Sequence, residues 1–156
     1  MQKELDEIFY DALTNDSNVT AIVPATRIFS TCVEVPPMEN DNTPLPYIII
    51  TDDPFQDEQA TKDELWESDW DTVQAGILIN ADSPNAVKQL RRTIRHALAQ
   101  YVESMSDDER PVLRSFSNEG IAWDWTKPCY YDTLHYQCDM YFPIDDDNEQ
   151  NEGQSH

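Results

Sequence analysis

The sequence predicts an α+β domain: an antiparallel sheet of about four to five strands, with an N-terminal helix and one long helix packed on one face. Three observations carry this prediction. Apolar residues recur at helical spacing in two places, first Leu5, Ile8, Phe9, Ala12 and Leu13, later Val87, Leu90, Ile94, Ala97, Leu98 and Tyr101. They alternate at strand spacing in two others, Val73, Ala75, Ile77 and Ile79, then Leu134, Tyr136, Cys138, Met140 and Phe142. The strand-like segments succeed one another through turn-forming stretches, as hairpins and returns do.

Taken in order, the first helix begins near Leu5 and stops at Asn15-Asp16-Ser17-Asn18. There Asp16 or Ser17 is placed to cap a short second turn over 19–23, which Pro24 closes. Arg27-Ile28-Phe29 reads as a short strand, and 33–44 as a loop rich in Pro and Asn. Residues 45–51 form a β-branched and aromatic strand with Pro46 at its start, where no ladder hydrogen bond is lost. The next strand, from Val73, ends near Asp82. Ser83-Pro84 is an N-cap followed by proline at the first helical position, and the long helix it opens frays over 104–108. After Pro111 come two strands. One covers 117–126, with Ile121, Trp123 and Trp125 on one face; the other covers 130–142, with His135, Gln137 and Asp139 opposite its apolar row. Thr126-Lys127-Pro128-Cys129 joins them as a hairpin.

At 156 residues the chain has room for one domain, read as 1–143, followed by an acidic tail over 144–156. Ten Lys and Arg stand against 31 Asp and Glu, a formal charge of −21. A surface this negative repels phosphate and anionic lipid, which disfavours basic nucleic-acid-binding modules. Only 3 glycines are present, too few for a glycine-rich phosphate cradle. The longest apolar runs, such as 47–50, fall far short of the ~20 residues of a membrane span. The first residues lack the basic start and apolar block of a signal peptide, and three cysteines, Cys32, Cys129 and Cys138, fit free buried thiols in a reducing compartment. A cytoplasmic chain is expected.

The charge is unevenly spread. Residues 52–71 hold nine acids and one base, Lys62, while 145–156 hold five acids and no base. The tail has nothing apolar to bury and is expected to be disordered. The stretch over 52–71 differs, because Phe55, Leu65, Trp66 and Trp70 are interleaved with its carboxylates. A purely solvating loop needs no tryptophan, so Trp66 and Trp70 are expected to dock either on their own domain or on a neighbouring subunit. Four of the ten bases, Lys88, Arg91, Arg92 and Arg95, lie on the long helix. Lys88, Arg92 and Arg95 form a stripe away from the core with Arg91 beside the apolar face. Such a stripe is either a solvated face or the surface that meets acidic segments of an adjacent copy.

Sites of chemistry are sparse. Neither His96 nor His135 has a Cys or His at a ligand spacing, and Cys129 and Cys138 fall on opposite faces of their strand, so no metal site is expected. No Gly-x-Ser-x-Gly occurs. The carboxylates available to a metal-dependent nuclease are Asp124, Asp132 and Asp139 near Lys127. Catalytic residues and cofactors are expected to be none.

The helix over 5–13, Asn15-Asp16-Ser17-Asn18-Val19-Thr20-Ala21-Ile22-Val23, Thr26-Arg27-Ile28-Phe29 and Leu45-Pro46-Tyr47-Ile48, in that order, resemble the tail terminator (tail completion) proteins of long-tailed bacteriophages. The later strand, the long helix with its Ser-Pro start and the closing strand pair fit the same pattern, from about Leu5 to Phe142. The resemblance implies a structural protein with no catalytic residues: a hexameric ring that caps the tail tube, stops its elongation and offers the head–tail joining surface. Its implied partners are further copies of itself, tail tube protein and a head–tail connector, with DNA only passing through the lumen and no membrane. It implies assembly in the host cytoplasm and a place at the tail–neck junction of the virion. Two alternatives stand beside it, a head-completion protein of the neck and, from another class, an acidic DNA mimic that inhibits a host DNA-binding enzyme.

Overall fold

The computed structural model describes residues 3–31, 43–53 and 70–142. In chain order these form α1 (Leu5–Thr14), α2 (Ser17–Ile22), a 3-10 turn (Ala25–Arg27), β1 (Ile28–Ser30), β2 (Tyr47–Asp53), β3 (Trp70–Ala81), α3 (Pro84–Ser104), β4 (Val112–Asn118), β5 (Ala122–Asp124) and β6 (Cys129–Tyr141).

Local chemistry sets the helix ends. The Asp16 carboxylate accepts from the N–H groups of Asn18 and Val19 at 2.9 and 3.0 Å and starts α2. The Ser83 hydroxyl accepts from the Ala86 N–H at 3.1 Å and starts α3, with Pro84 in its first turn. At the other end of α3, Arg110 Nη2 donates to the carbonyls of Glu103 and Met105, each at 2.9 Å, supplying partners that the helix no longer provides. In the first turn of α1, Asp6 and Glu7 sit where the helix dipole favours negative charge.

The strands form one six-stranded sheet in the order β1-β2-β3-β6-β4, with β5 continuing along β6 beyond β4. The β3–β6 ladder runs from Trp70 opposite Tyr141 to Ala81 opposite Tyr130 and forms the spine. Because β6 is antiparallel to both β3 and β4, those two strands run the same way, and α3 is the crossover that joins them with β6 inserted between. All three helices pack on one face. Leu5, Ile8, Phe9 and Leu13 of α1 and Val87, Leu90, Ile94 and Leu98 of α3 cover Ile48 and Ile50 of β2, Ile77 and Ile79 of β3, and Leu134 and Met140 of β6. The expected α+β architecture, with an N-terminal and a long helix on one side of the sheet, is what the chain adopts.

The strands differ from expectation in four ways. Among the described residues there are six, where about four to five are expected. β1 pairs parallel to β2, since the 16 residues from Thr31 to Pro46 are long enough to bring the chain back to the same end. β2 and β3 extend into the acidic stretch: Asp52, Asp53, Trp70 and Asp71 are strand residues, and only 54–69 lies outside the described residues. The single strand expected over 117–126 is two, because Gly120 takes φ 99°, a left-handed backbone that breaks the ladder between β4 and β5. Trp66, Cys32 and the tail from residue 143 onward also lie outside the described residues.

Candidate functional site

The four bases of α3 do not act as one stripe. Arg91 turns inward, its Nη1 3.1 Å from Asp132 Oδ2, and Asp132 is wholly buried. Asp132 also accepts from Asn118 Nδ2 at 3.0 Å and from the Gly120 N–H at 2.9 Å. Arg91 is therefore a structural ion, and its place on a partner surface is corrected. A buried carboxylate needs this many donors because its desolvation is otherwise too costly.

Lys88, Arg92 and Arg95 stay exposed, and among the described residues no carboxylate forms an ion pair with any of them. Arg95 lies over the ring of Phe116 of β4, its Cζ 4.3 Å from the centroid, and remains exposed. At helical spacing the same row continues through Ala99 and Val102, so the flank of α3 is basic in its first half and apolar in its second. The apolar half overhangs β4 and encloses a groove of about 210 Å³, lined by Leu98, Val102, Leu113, Phe116 and Tyr136 with Arg95 at its rim. β4 is the edge strand of the sheet here, and Leu113 is 57% exposed. Burial pushes the Tyr136 phenol up to about 12 against the opposing charge of Arg95, and burial likewise pushes the Cys138 thiol in the groove wall up to about 12. Both groups are neutral at pH 7, so Arg95 supplies the groove's fixed charge.

A second, oppositely charged region lies at the end of the sheet where β2 stops and β3 starts. At the α1 N-terminus Glu4 feels the charge of Asp52 and Asp71, Asp6 feels that of Asp52, and Glu7 adds its charge to both. Burial first, and then this crowding of like charge, raises the carboxyl groups of Glu4 and Asp6 above the ordinary range. Asp6 is only 8% exposed, and its Oδ1 accepts from the Glu7 N–H at 3.0 Å. Among the described residues none of these five carboxylates forms an ion pair with Lys or Arg. Beside them Trp70 is 50% exposed and leans on Tyr141, ring centroids 5.4 Å apart. Trp70 docks on its own chain at one edge while its other half faces outward.

The sheet face away from the helices is polar over β3, β6 and β4. His135 Nε2 lies 2.8 Å from Glu119 Oε2, and its Nδ1 is 3.6 Å from Asp53 Oδ2. Gly76 makes room for this: a Cβ there would come within 2.7 Å of Asp53 Oδ2. Among the described residues, no three His, Cys, Asp or Glu side chains gather at a geometry that could hold a metal ion. The aspartates named for metal-dependent hydrolysis are not brought together. Asp132 faces the helices, Asp124 stands at one end of β6 holding its turn through Thr126, and Asp139 stands toward the other end bonded to Thr72. No described helix is long and apolar enough to cross a membrane.

Compared with known proteins, the sequence matches no family model and no curated protein.

The groove was not legible in the sequence, because without β4 the flank of α3 has no neighbour. The signal was Val112-Leu113 directly after Pro111, a short apolar pair in a polar context.

Proposed function

We propose that this chain is a virion assembly protein of the tail-terminator kind, which works by associating with copies of itself in a hexameric ring. In this reading the ring caps the tail tube, ends its elongation and presents a face to the head–tail connector at the tail–neck junction, with no reaction performed. The observation that carries it is the separation of charge on one small domain. A basic flank on α3 and an acidic corner at the α1 N-terminus occupy different surfaces, and neither is neutralised among the described residues. Two unlike complementary patches favour head-to-tail contacts, which close into a ring when the rotation from one copy to the next is a whole fraction of a turn. The segments that carry the resemblance to tail terminators form α1, α2, β1 and β2. The net charge of −21 suits a lumen through which DNA slides without sticking.

Native mass spectrometry and sedimentation of the purified protein test this, alone and with tail tube protein. Hexamers, or hexamers formed on the tube, are expected. A strictly monomeric protein that never associates with tube overturns the reading. A pull-down that retrieves a host DNA-binding enzyme in place of tube or connector protein would favour the DNA-mimic alternative.

A further inference from the structure

Among the described residues the surface features that stand out include the groove between α3 and β4, the acidic corner at the α1 N-terminus, the exposed Trp123 and Trp125, and the His135 cluster on the open sheet face. The first two answer each other. The groove needs an occupant with apolar surface to fill it and carboxylates to meet Arg95 in its lining and Arg92 on the same exposed flank of α3. Its walls offer exposed apolar area at Leu113, Val102 and Ala99, and β4 beside it is an edge strand. Helix capping engages Arg110 and Phe116 constrains Arg95, but Arg95, Arg92 and Lys88 are all exposed.

We propose that the groove is a docking site for a second copy of this chain, which enters with its acidic corner, Glu4, Asp52 and Asp71, beside the half-exposed ring of Trp70. The assignment deepens the assembly reading above and rests on it, since it names the surfaces through which copies meet. The physical reason lies in the two patches taken together. At the corner, carboxylates are crowded and partly desolvated, a cost that an approaching guanidinium relieves. At the groove, cations stand beside uncovered apolar surface in a chain that carries only ten bases against 31 acids. Any other acidic patch of the molecule could attract the α3 flank at long range. Exposed rings also flank Asp124, at Trp123 and Trp125, but that lone carboxylate already accepts from Thr126. The corner sets the half-exposed Trp70 beside several carboxylates that form no ion pair with Lys or Arg among the described residues, which matches a groove that is apolar within and carries Arg95 in its lining.

Because the patches differ, the contact is directional: each copy gives its corner to one neighbour and its groove to the other. A charge exchange tests this directly. One variant carries Arg92→Glu and Arg95→Glu; the other carries Asp52→Lys and Asp71→Lys, both exposed positions. Each variant alone is expected to associate at least about tenfold more weakly than the unaltered chain, more so at low salt than the salt dependence of a neutral interface allows. An equimolar mixture is expected to recover assembly, because the reversed groove of one then meets the reversed corner of the other in alternation. Arg95 stacks on Phe116, so Lys88→Glu with Arg92→Glu, which leaves that stack intact, serves as the folding control, with circular dichroism on every variant. Variants that fold and assemble like the unaltered chain overturn this interface while leaving the ring reading standing. So does a mixture that fails to recover. An unaltered chain that remains monomeric, with and without tube protein, overturns both.

Discussion

Arg91 and Asp132 show how one residue can be misassigned from a helical wheel. Arg91 sits among three other bases on α3, yet its guanidinium reaches down to β6, to a carboxylate with no exposed surface. The pair belongs to the core, with Asn118 and the Gly120 N–H completing the set of donors. Asp132→Ala leaves the partly buried Arg91 guanidinium, Asn118 Nδ2 and the Gly120 N–H without their acceptor and removes the anchor of the β4–β5 turn; it is expected to cost about 3 kcal/mol in denaturant titration. Arg91→Ala leaves Asp132 its two other donors and is expected to cost about 2 kcal/mol, so a double-mutant cycle should show the two effects far from additive. Asp6 presents the opposite situation, a buried carboxylate among like charges. Its raised folded value means that the native state holds this proton more tightly than the unfolded chain. Stability therefore rises as pH falls through that value toward the ordinary carboxylate range. Asp6→Asn is expected to raise Tm at neutral pH, since Asn can still accept from the Glu7 N–H, and to change nothing at a pH below the unfolded value, where Asp6 is neutral in both states.

Among the elements, the β4–β5 break departs furthest from the sequence pattern. The alternation of Ile121, Trp123 and Trp125 extends a strand pattern across Glu119-Gly120, and alternation alone cannot register that one residue has a left-handed backbone. A Cβ at Gly120 would meet nothing within 4 Å, so the demand for glycine there is conformational and not steric. Gly120→Ala is accordingly expected to cost about 1–2 kcal/mol by thermal unfolding through backbone strain, with no clash to relieve. The α3 start is the reverse case. Ser83 and Pro84 state it in the sequence, and the Ser83 hydroxyl makes the bond that the motif implies.

For the molecule as a whole, the groove and its neutral walls link stability to alkaline pH. Tyr136 and Cys138 lie next to one another along the buried row of β6, and both are held up to about 12, from ordinary values of 10.0 and 9.0. The native chain retains these protons where the unfolded chain releases them. Stability is thus intact below about pH 9 and falls progressively as pH rises toward 12. Cys138→Ala should flatten that fall without abolishing it, a comparison that urea titrations across the range can read. At the same scale, deleting 145–156 is expected to leave Tm unchanged, since that segment has no apolar residue to contribute to the core.

The sequence by itself determined the period of each long element, the caps of α2 and α3, the side of β6 that faces the core, and the imbalance of charge. These are local properties, set by backbone geometry and by which side chains repeat at 3.6 or at 2. What only the tertiary structure decided was adjacency: that β6 lies between β3 and β4, that Arg91 finds Asp132 41 residues away, and that the apolar end of the α3 flank meets β4 to make a groove. Those contacts join residues far apart along the chain, and the pairing of strands, which no local repeat encodes, brings them together.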